Sequence, residues 1–227
     1  MRRKTCHRNT VTRYKVSSSA RFPSYRHQFS PSSSHRLSPS HSHINNNIAI
    51  MTTAPTSPTI IWPEKFLPGT TDNFVSNETV VKGLSAADIW KYLADIRKWE
   101  SYYWNCEKIT PPTSGLMLKK GDKFSFSTFG FPPLPSEVYE SVEPSKTEVG
   151  RLAWRAESDG NGDKDSAIDV YHAWVIEDLE GDRVRILTQE SQIGKPAADL
   201  STKKPNPMLN GHQDWIDGLV KAARDGK

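Results

Sequence analysis

Residues 84–109 read LSAADIWKYLADIRKWESYYWNCEKI, and the hydrophobic period changes inside this stretch. Ser85 stands before a helical run, Asp88 follows three residues on, and Leu84 is placed to staple to Ile89. That combination marks a capped helix start. Ile89, Leu93 and Ile96 then recur at i, i+4 and i+7, one buried face. A second short helix is expected from Arg97 to about Asn105, with Trp99, Tyr102, Tyr103 and Trp104 as a hydrophobic lid on a core. Stacked nucleic-acid bases are the weaker reading of these aromatics, because basic residues do not interleave them. From Cys106 onward the period is two, which is that of strands.

Working outward, NFVSNETVVK (73–82) reads as a first strand before the helices. After them come strand candidates at Glu107–Thr110, Lys123–Phe131, Glu137–Val142, Arg151–Glu157, Ile168–Glu177 and Arg183–Ile193. Turns rich in Pro, Gly and Asp separate them, at Pro111-Pro112, Pro132-Pro133, Pro144, Gly160–Gly162 and Glu180-Gly181-Asp182. Consecutive strands with short links predict an antiparallel meander. The SDGNGDKDSA loop (158–167) superficially suggests calcium, but it lacks EF-hand carboxylate spacing and reads as a solvated hairpin tip. The last element opens on Asn206-Pro207, a cap with proline at the first helical position. Met208, His212, Trp215, Leu219 and Ala222 then form one stripe, widened by Leu209, Ile216, Val220 and Ala223. Gly211 interrupts this helix at a cost of about 1 kcal/mol relative to Ala, and a small residue there suits close approach to the sheet. The expected class is α+β: a curved seven-stranded antiparallel sheet wrapped around a long C-terminal helix, with two short helices after the first strand.

Composition divides the 227 residues in two. Residues 1–50 carry 9 of the 30 Lys/Arg, and the first acid of the chain is Glu64, so all 26 Asp/Glu lie at or beyond it. All seven Trp lie at or after position 62. The basic pI therefore belongs to the tail, and the mildly acidic body offers no basic stripe for nucleic acid. Two cysteines, Cys6 and Cys106, make no disulfide framework, and no Cys/His cluster has zinc spacing. No run approaches the ~18 apolar residues of a membrane span, and the N-terminus lacks the apolar core of a secretory signal.

The expected organisation is a basic, Ser-rich, disordered tail over 1–59 and a folded domain over 60–227. Three readings of residues 1–50 stay open: an upstream extension with Met51 as the true start, a mitochondrial transit peptide, and a solvated basic arm. Tyr14, Val16 and Phe22 are too scattered for an amphipathic stripe. Cytoplasmic localisation is the expectation, with mitochondrial the alternative.

The layout and several segments are familiar. SAADIWKYLADIRKWESYYWNCEKI, with Asp95 and Trp99 matching a D-x-x-x-W turn, resembles the opening of the SRPBCC (START-like, helix-grip) superfamily. GRLAWRAE, YHAWVIEDLEGDRVRILTQES and GHQDWIDGLVKAA resemble later strands and the last helix of its polyketide cyclase/dehydrase and lipid-transport branch. The resemblance covers about 150 residues and implies a cavity between sheet and last helix that receives a small apolar ligand. That branch contains carriers as well as enzymes.

Two histidines lie in the body. His172 shares parity with Trp174 and Ile176 on its strand, and His212 falls inside the stripe of the last helix. Glu190 shares parity with Val184, Ile186 and Thr188. These three are the candidate catalytic residues for acid/base work, against the alternative of core histidines satisfied by backbone or Tyr hydroxyls. Arg151 and Arg155 either pair with Glu190 or are outward charges. Trp154, Trp174, Trp215, Leu219 and Trp99 are candidate ligand-binding residues, and Tyr139 is expected to offer a hydroxyl inward. The expected function is binding of a small hydrophobic molecule, with cyclase- or dehydratase-type chemistry that needs no cofactor and no metal. The rivals are a non-catalytic lipid, sterol or quinone carrier, and a co-chaperone-like interaction module.

Overall fold

The capping box at Ser85 closes as its spacing predicts. Ser85 Oγ accepts from the Asp88 N–H at 3.2 Å, and Asp88 Oδ2 accepts from the Ser85 N–H at 3.0 Å. This start belongs to a computed structural model that describes residues 59–227. The readings made for residues 1–50 lie outside the described residues.

Strand β1 (Asn73–Lys82) leads into α1 (Ala86–Leu93) and α2 (Trp99–Tyr102). Five strands follow as a meander: β2 (Cys106–Thr110), β3 (Lys123–Thr128), β4 (Leu134–Val142), β5 (Gly150–Ser158) and β6 (Ile168–Leu179). Then come β7 (Arg183–Ile193), α3 (Lys195–Ser201) and α4 (Pro207–Asp225). The sheet order is β1-β7-β6-β5-β4-β3-β2, antiparallel throughout. It is a curled seven-stranded sheet gripping α4, and Trp154, Trp174, Trp215, Ile216 and Leu219 share its inner core.

Three details differ from the sequence reading. The expected helix over 97–105 is a 3₁₀ turn at Ile96–Lys98 running into the single turn of α2. Trp99 and Tyr103 enter the core, but Trp104 is 75% exposed and donates its indole N–H to Asp214. Tyr102 packs partly buried against the same core, so Trp104 alone of the four is a surface ring, because so short a helix cannot turn all four inward. Strand β3 stops at Thr128 and not at Phe131. Phe129 adopts φ 53° and gives its N–H to Asn105 Oδ1 at 2.6 Å, which takes it out of the ladder. Helix α3 was not anticipated; its seven residues bury only Ala197 and Leu200, too few to register as a period.

Both faces of β6 are covered. His172, Trp174 and Ile176 face α4, whereas Tyr171, Ala173 and Val175 form an outer cluster with Ile60 and Phe66. The Phe66 ring stacks on Tyr171 at 5.5 Å. A strand buried on both sides reads as continuously apolar, which is why alternation alone gave a weak signal here.

Helix α4 meets its neighbours through two glycines. A Cβ at Gly211 would lie 2.5 Å from the Phe129 ring. At Gly218 it would lie 2.0 Å from the carbonyl oxygen of Tyr102, which is main chain and cannot rotate away. Gly218→Ala is therefore expected to destabilise the fold by about 1–3 kcal/mol through overpacking, despite the ~1 kcal/mol helix-propensity gain. Urea unfolding measures this, and a variant as stable as the parent would show that α2 and α4 are not in close contact.

Candidate functional site

One row across the sheet builds the site. Strand register sets Val138 beside Trp154, Trp154 beside His172, His172 beside Glu190, and Glu190 beside Val75. Cross-strand neighbours share a face, so Trp154, His172 and Glu190 all point at α4. His212 comes down from that helix one turn before Trp215, and its ring stacks on His172 at 4.5 Å with 17° between planes. The three sequence-predicted candidates, drawn from two strands and a helix, therefore meet. His172 is 2% exposed, Glu190 5% and His212 1%.

They stand in the wall of a cavity of about 790 Å³ bounded by the concave sheet, α3, α4 and the β3–β4 and β5–β6 turns. Phe126, Leu134, Trp154, Val170, Met208 and Trp215 supply much of its apolar lining. Of the other expected ligand contacts, Trp174, Leu219 and Trp99 are absent from the wall. They are packed core, since Trp99 is ringed by Phe124, Phe126, Trp154 and Trp215. Tyr139 is a correction: it is 40% exposed and lies edge-on to Tyr171 on the outer face. Alternation along β4 leaves Ser136 and Val138 as its buried, inward residues and turns Tyr139 outward. Arg155 is also outward, donating to both oxygens of Asp169 at 2.8 and 2.9 Å. Arg151 lies 3.9 Å from Glu140.

The sequence reading missed Thr188 and Gln192, although both share Glu190's parity. They complete a buried hydrogen-bonded chain. Asn206 Nδ2 donates to Asn73 Oδ1 at 2.9 Å, and Asn73 Nδ2 donates to Gln192 Oε1 at 2.6 Å. Gln192 Nε2 donates to Glu190 Oε1. On its other side, Glu190 Oε2 lies 2.9 Å from His172 Nδ1, and His172 Nε2 lies 2.8 Å from Thr188 Oγ1. An ionised carboxylate only accepts, whereas each amide passes its donors in one direction. The chain thus ends naturally on ionised Glu190, with His172 carrying its proton on Nδ1 and accepting from the Thr188 hydroxyl. Neither ring nitrogen of His212 has a hydrogen-bond partner among the described residues. Its Nε2 is 3.4 Å from Glu190 Oε2 but is not aligned as a hydrogen bond.

Electrostatics agree with this assignment. Burial would raise the Glu190 carboxyl, but the two neighbouring imidazoles and the close Nδ1 contact of His172 outweigh it and hold the group below the usual carboxylate range. Burial, then the neighbouring His212, push His172 down from an ordinary 6.5 to about 4, against the pull of Glu190. Between pH 6.5 and 4 the unfolded chain therefore holds a proton at His172 that the folded chain does not. Stability is expected to fall by about 3 kcal/mol as pH drops through that window. Glu190 adds a loss of the same sign at lower pH. Urea unfolding as a function of pH measures the slope. A slope left intact in His172→Gln would assign it to other groups.

The three side chains also have the composition of a two-histidine, one-carboxylate metal set, with one ligand atom from each within 4.8 Å of the others. Lone pairs of imidazoles lie in the ring planes, and planes only 17° apart do not converge on one ion. Metal binding here requires one ring to turn, so the observed geometry is that of a carboxylate–imidazole pair with a second imidazole stacked on it.

The chain matches no family model and no curated protein. Among solved structures, a hypothetical protein from Helicobacter pylori is 46% identical, covering 75% of this chain and 99% of that one at a TM-score of 0.70. A point mutant of norcoclaurine synthase from Thalictrum flavum with a transition-state analogue is 14% identical, covering 68% and 95% at a TM-score of 0.50. A Mesorhizobium loti protein is 12% identical, covering 68% and 98% at the same score. The last two show the fold alone. The class is thus an α+β protein of the helix-grip fold. The chain belongs to one family with the Helicobacter pylori protein.

Proposed function

We propose that this chain binds a small, largely apolar molecule in its cavity and exchanges a proton with it through His212. The observation that carries the proposal is the His212 ring, buried in the cavity wall with both nitrogens unpartnered. Buried polar atoms are nearly always hydrogen-bonded, and an orphaned one costs about 1–3 kcal/mol. A ligand carbonyl or hydroxyl supplies the missing partner. With ionised Glu190 near Nε2, the favoured tautomer carries its proton there and leaves Nδ1 as an acceptor. Glu190, held by His172 and Gln192, stabilises the imidazolium that forms when Nδ1 takes a proton. Such an arrangement suits enolisation, cyclisation or dehydration without a cofactor.

The apolar share of the wall supports a second reading, a carrier of a lipid, sterol or quinone, which uses the same cavity without proton transfer. An interaction module of the co-chaperone type has less support, because that role calls for a filled interior. Native mass spectrometry of the full chain is expected to retain a co-purifying small molecule. An apolar ligand such as decanol is expected to quench the fluorescence of Trp154 and Trp215. Absence of both a retained molecule and quenching would overturn the cavity reading.

A further inference from the structure

The charges around the cavity are one-sided. Its charged lining residues are Glu157, Asp159 and Asp165 at the mouth and Glu190 inside, and among the described residues its lining includes no Lys or Arg. At the mouth, Arg155 bonds Glu157 as well as Asp169, and Lys195 reaches Asp199 at 3.2 Å with Asp165 also in its field. The carboxylate with no Lys or Arg beside it among the described residues is Glu190, in the interior. Asp159 accepts from the Asn161 N–H. In the interior, Glu190 receives hydrogen bonds from neutral groups only: the Gln192 amide and the Nδ1 edge of His172. A carboxylate solvated by neutral donors keeps its full charge, and the low-dielectric wall projects that charge into the cavity.

Beside it, His212 offers an unpartnered acceptor nitrogen. Tyr103, Trp154 and Trp215 line the same space, and aromatic rings attract cations. An anionic ligand would have to leave water for an interior where the described residues offer no Lys or Arg to receive it, which is strongly unfavourable. From this asymmetry together with the orphaned His212, and resting on the cavity-binding reading above, we infer that the molecule bound here carries a protonated amine on its apolar body. The ammonium donates to Glu190 Oε2 and to a His212 nitrogen, while the apolar part lies against Phe126, Leu134 and Val170.

Decylamine, decanol and decanoate share one chain and differ only in head group. Titrated into the full chain near neutral pH and followed by Trp fluorescence, decylammonium is expected to bind about tenfold tighter than decanol, and decanoate about tenfold weaker. In Glu190→Gln the ratio of amine to alcohol affinity is expected to fall by about tenfold. The comparison on the unaltered chain decides the inference even where Glu190→Gln fails to fold. Decanol binding as tightly as the amine, or decanoate binding equally well, would overturn the charge preference and leave the cavity reading standing. Failure of all three to bind would overturn both.

Discussion

Replacing His212 with leucine is expected to stabilise the protein by about 1–3 kcal/mol while removing about 10²–10⁴-fold of any proton-transfer rate. The two effects have one origin. Leucine fills nearly the same volume, and His212 makes no hydrogen bond within the described residues that the change would break. Only the desolvation of two unpaired nitrogens is lost. A histidine kept for structure behaves in the opposite way, since its removal leaves partners unsatisfied. The rate is read as uptake of solvent deuterium at the α-carbons of 2-decanone, a neutral ketone of suitable size, and stability by urea unfolding. His172→Gln is a useful companion, because glutamine can still donate to Glu190. A His212→Leu variant that loses stability would give the ring a structural role. Exchange in the unaltered protein no faster than with free imidazole at equal concentration would leave the cavity to a carrier.

Trp99→Ala is expected to cost about 3–5 kcal/mol, whereas Trp215→Ala costs distinctly less and changes ligand affinity. Both indoles are buried, and the difference lies in what surrounds them. Trp99 is enclosed on every side: its ring meets Phe126 at 5.3 Å and Trp215 at 5.1 Å, and its N–H donates to the Leu93 carbonyl at 2.8 Å. Truncation there opens a new void and leaves that carbonyl without its donor. Trp215 stacks on Tyr103 at 4.4 Å but turns another side to the cavity, so truncation enlarges a space that already exists. Urea midpoints for the two variants give the comparison. Equal and large penalties would mean that Trp215 is core and that the cavity lies elsewhere.

The local rules carried the elements a long way. Strands β1 and β7 and the starts of α1 and α4 fall where period, caps and proline place them, because those signals act within a few residues. Helix α3 escaped, and α2, expected over 97–105, came out as the single turn Trp99–Tyr102, for the same reason: four to seven residues hold too little periodic signal. The candidate site was legible only as parities. His172 and Glu190 each belong to an inward set on their own strand, and His212 belongs to the apolar stripe of its helix. Their meeting required the β6–β7 register, which sets His172 beside Glu190, and the descent of α4 onto that row. Tyr139 shows the opposite case. Alternation along β4 sets it opposite the buried Ser136 and Val138, so its outward face was legible from a parity that the inward expectation did not apply.

The sequence by itself determined the order of elements, the helix-grip class of fold and the inward parity of His172, His212 and Glu190, since capping, period and burial preference are properties of neighbouring residues. Tertiary structure alone decided which of them share a wall, that Trp99, Trp174 and Leu219 are core, and that His212 lacks a partner. Those facts depend on register and on the approach of α4 through Gly211 and Gly218, the second of which meets Tyr102, 116 positions earlier. Hydrogen bonding and desolvation act over a few ångströms of space, whatever the distance along the chain.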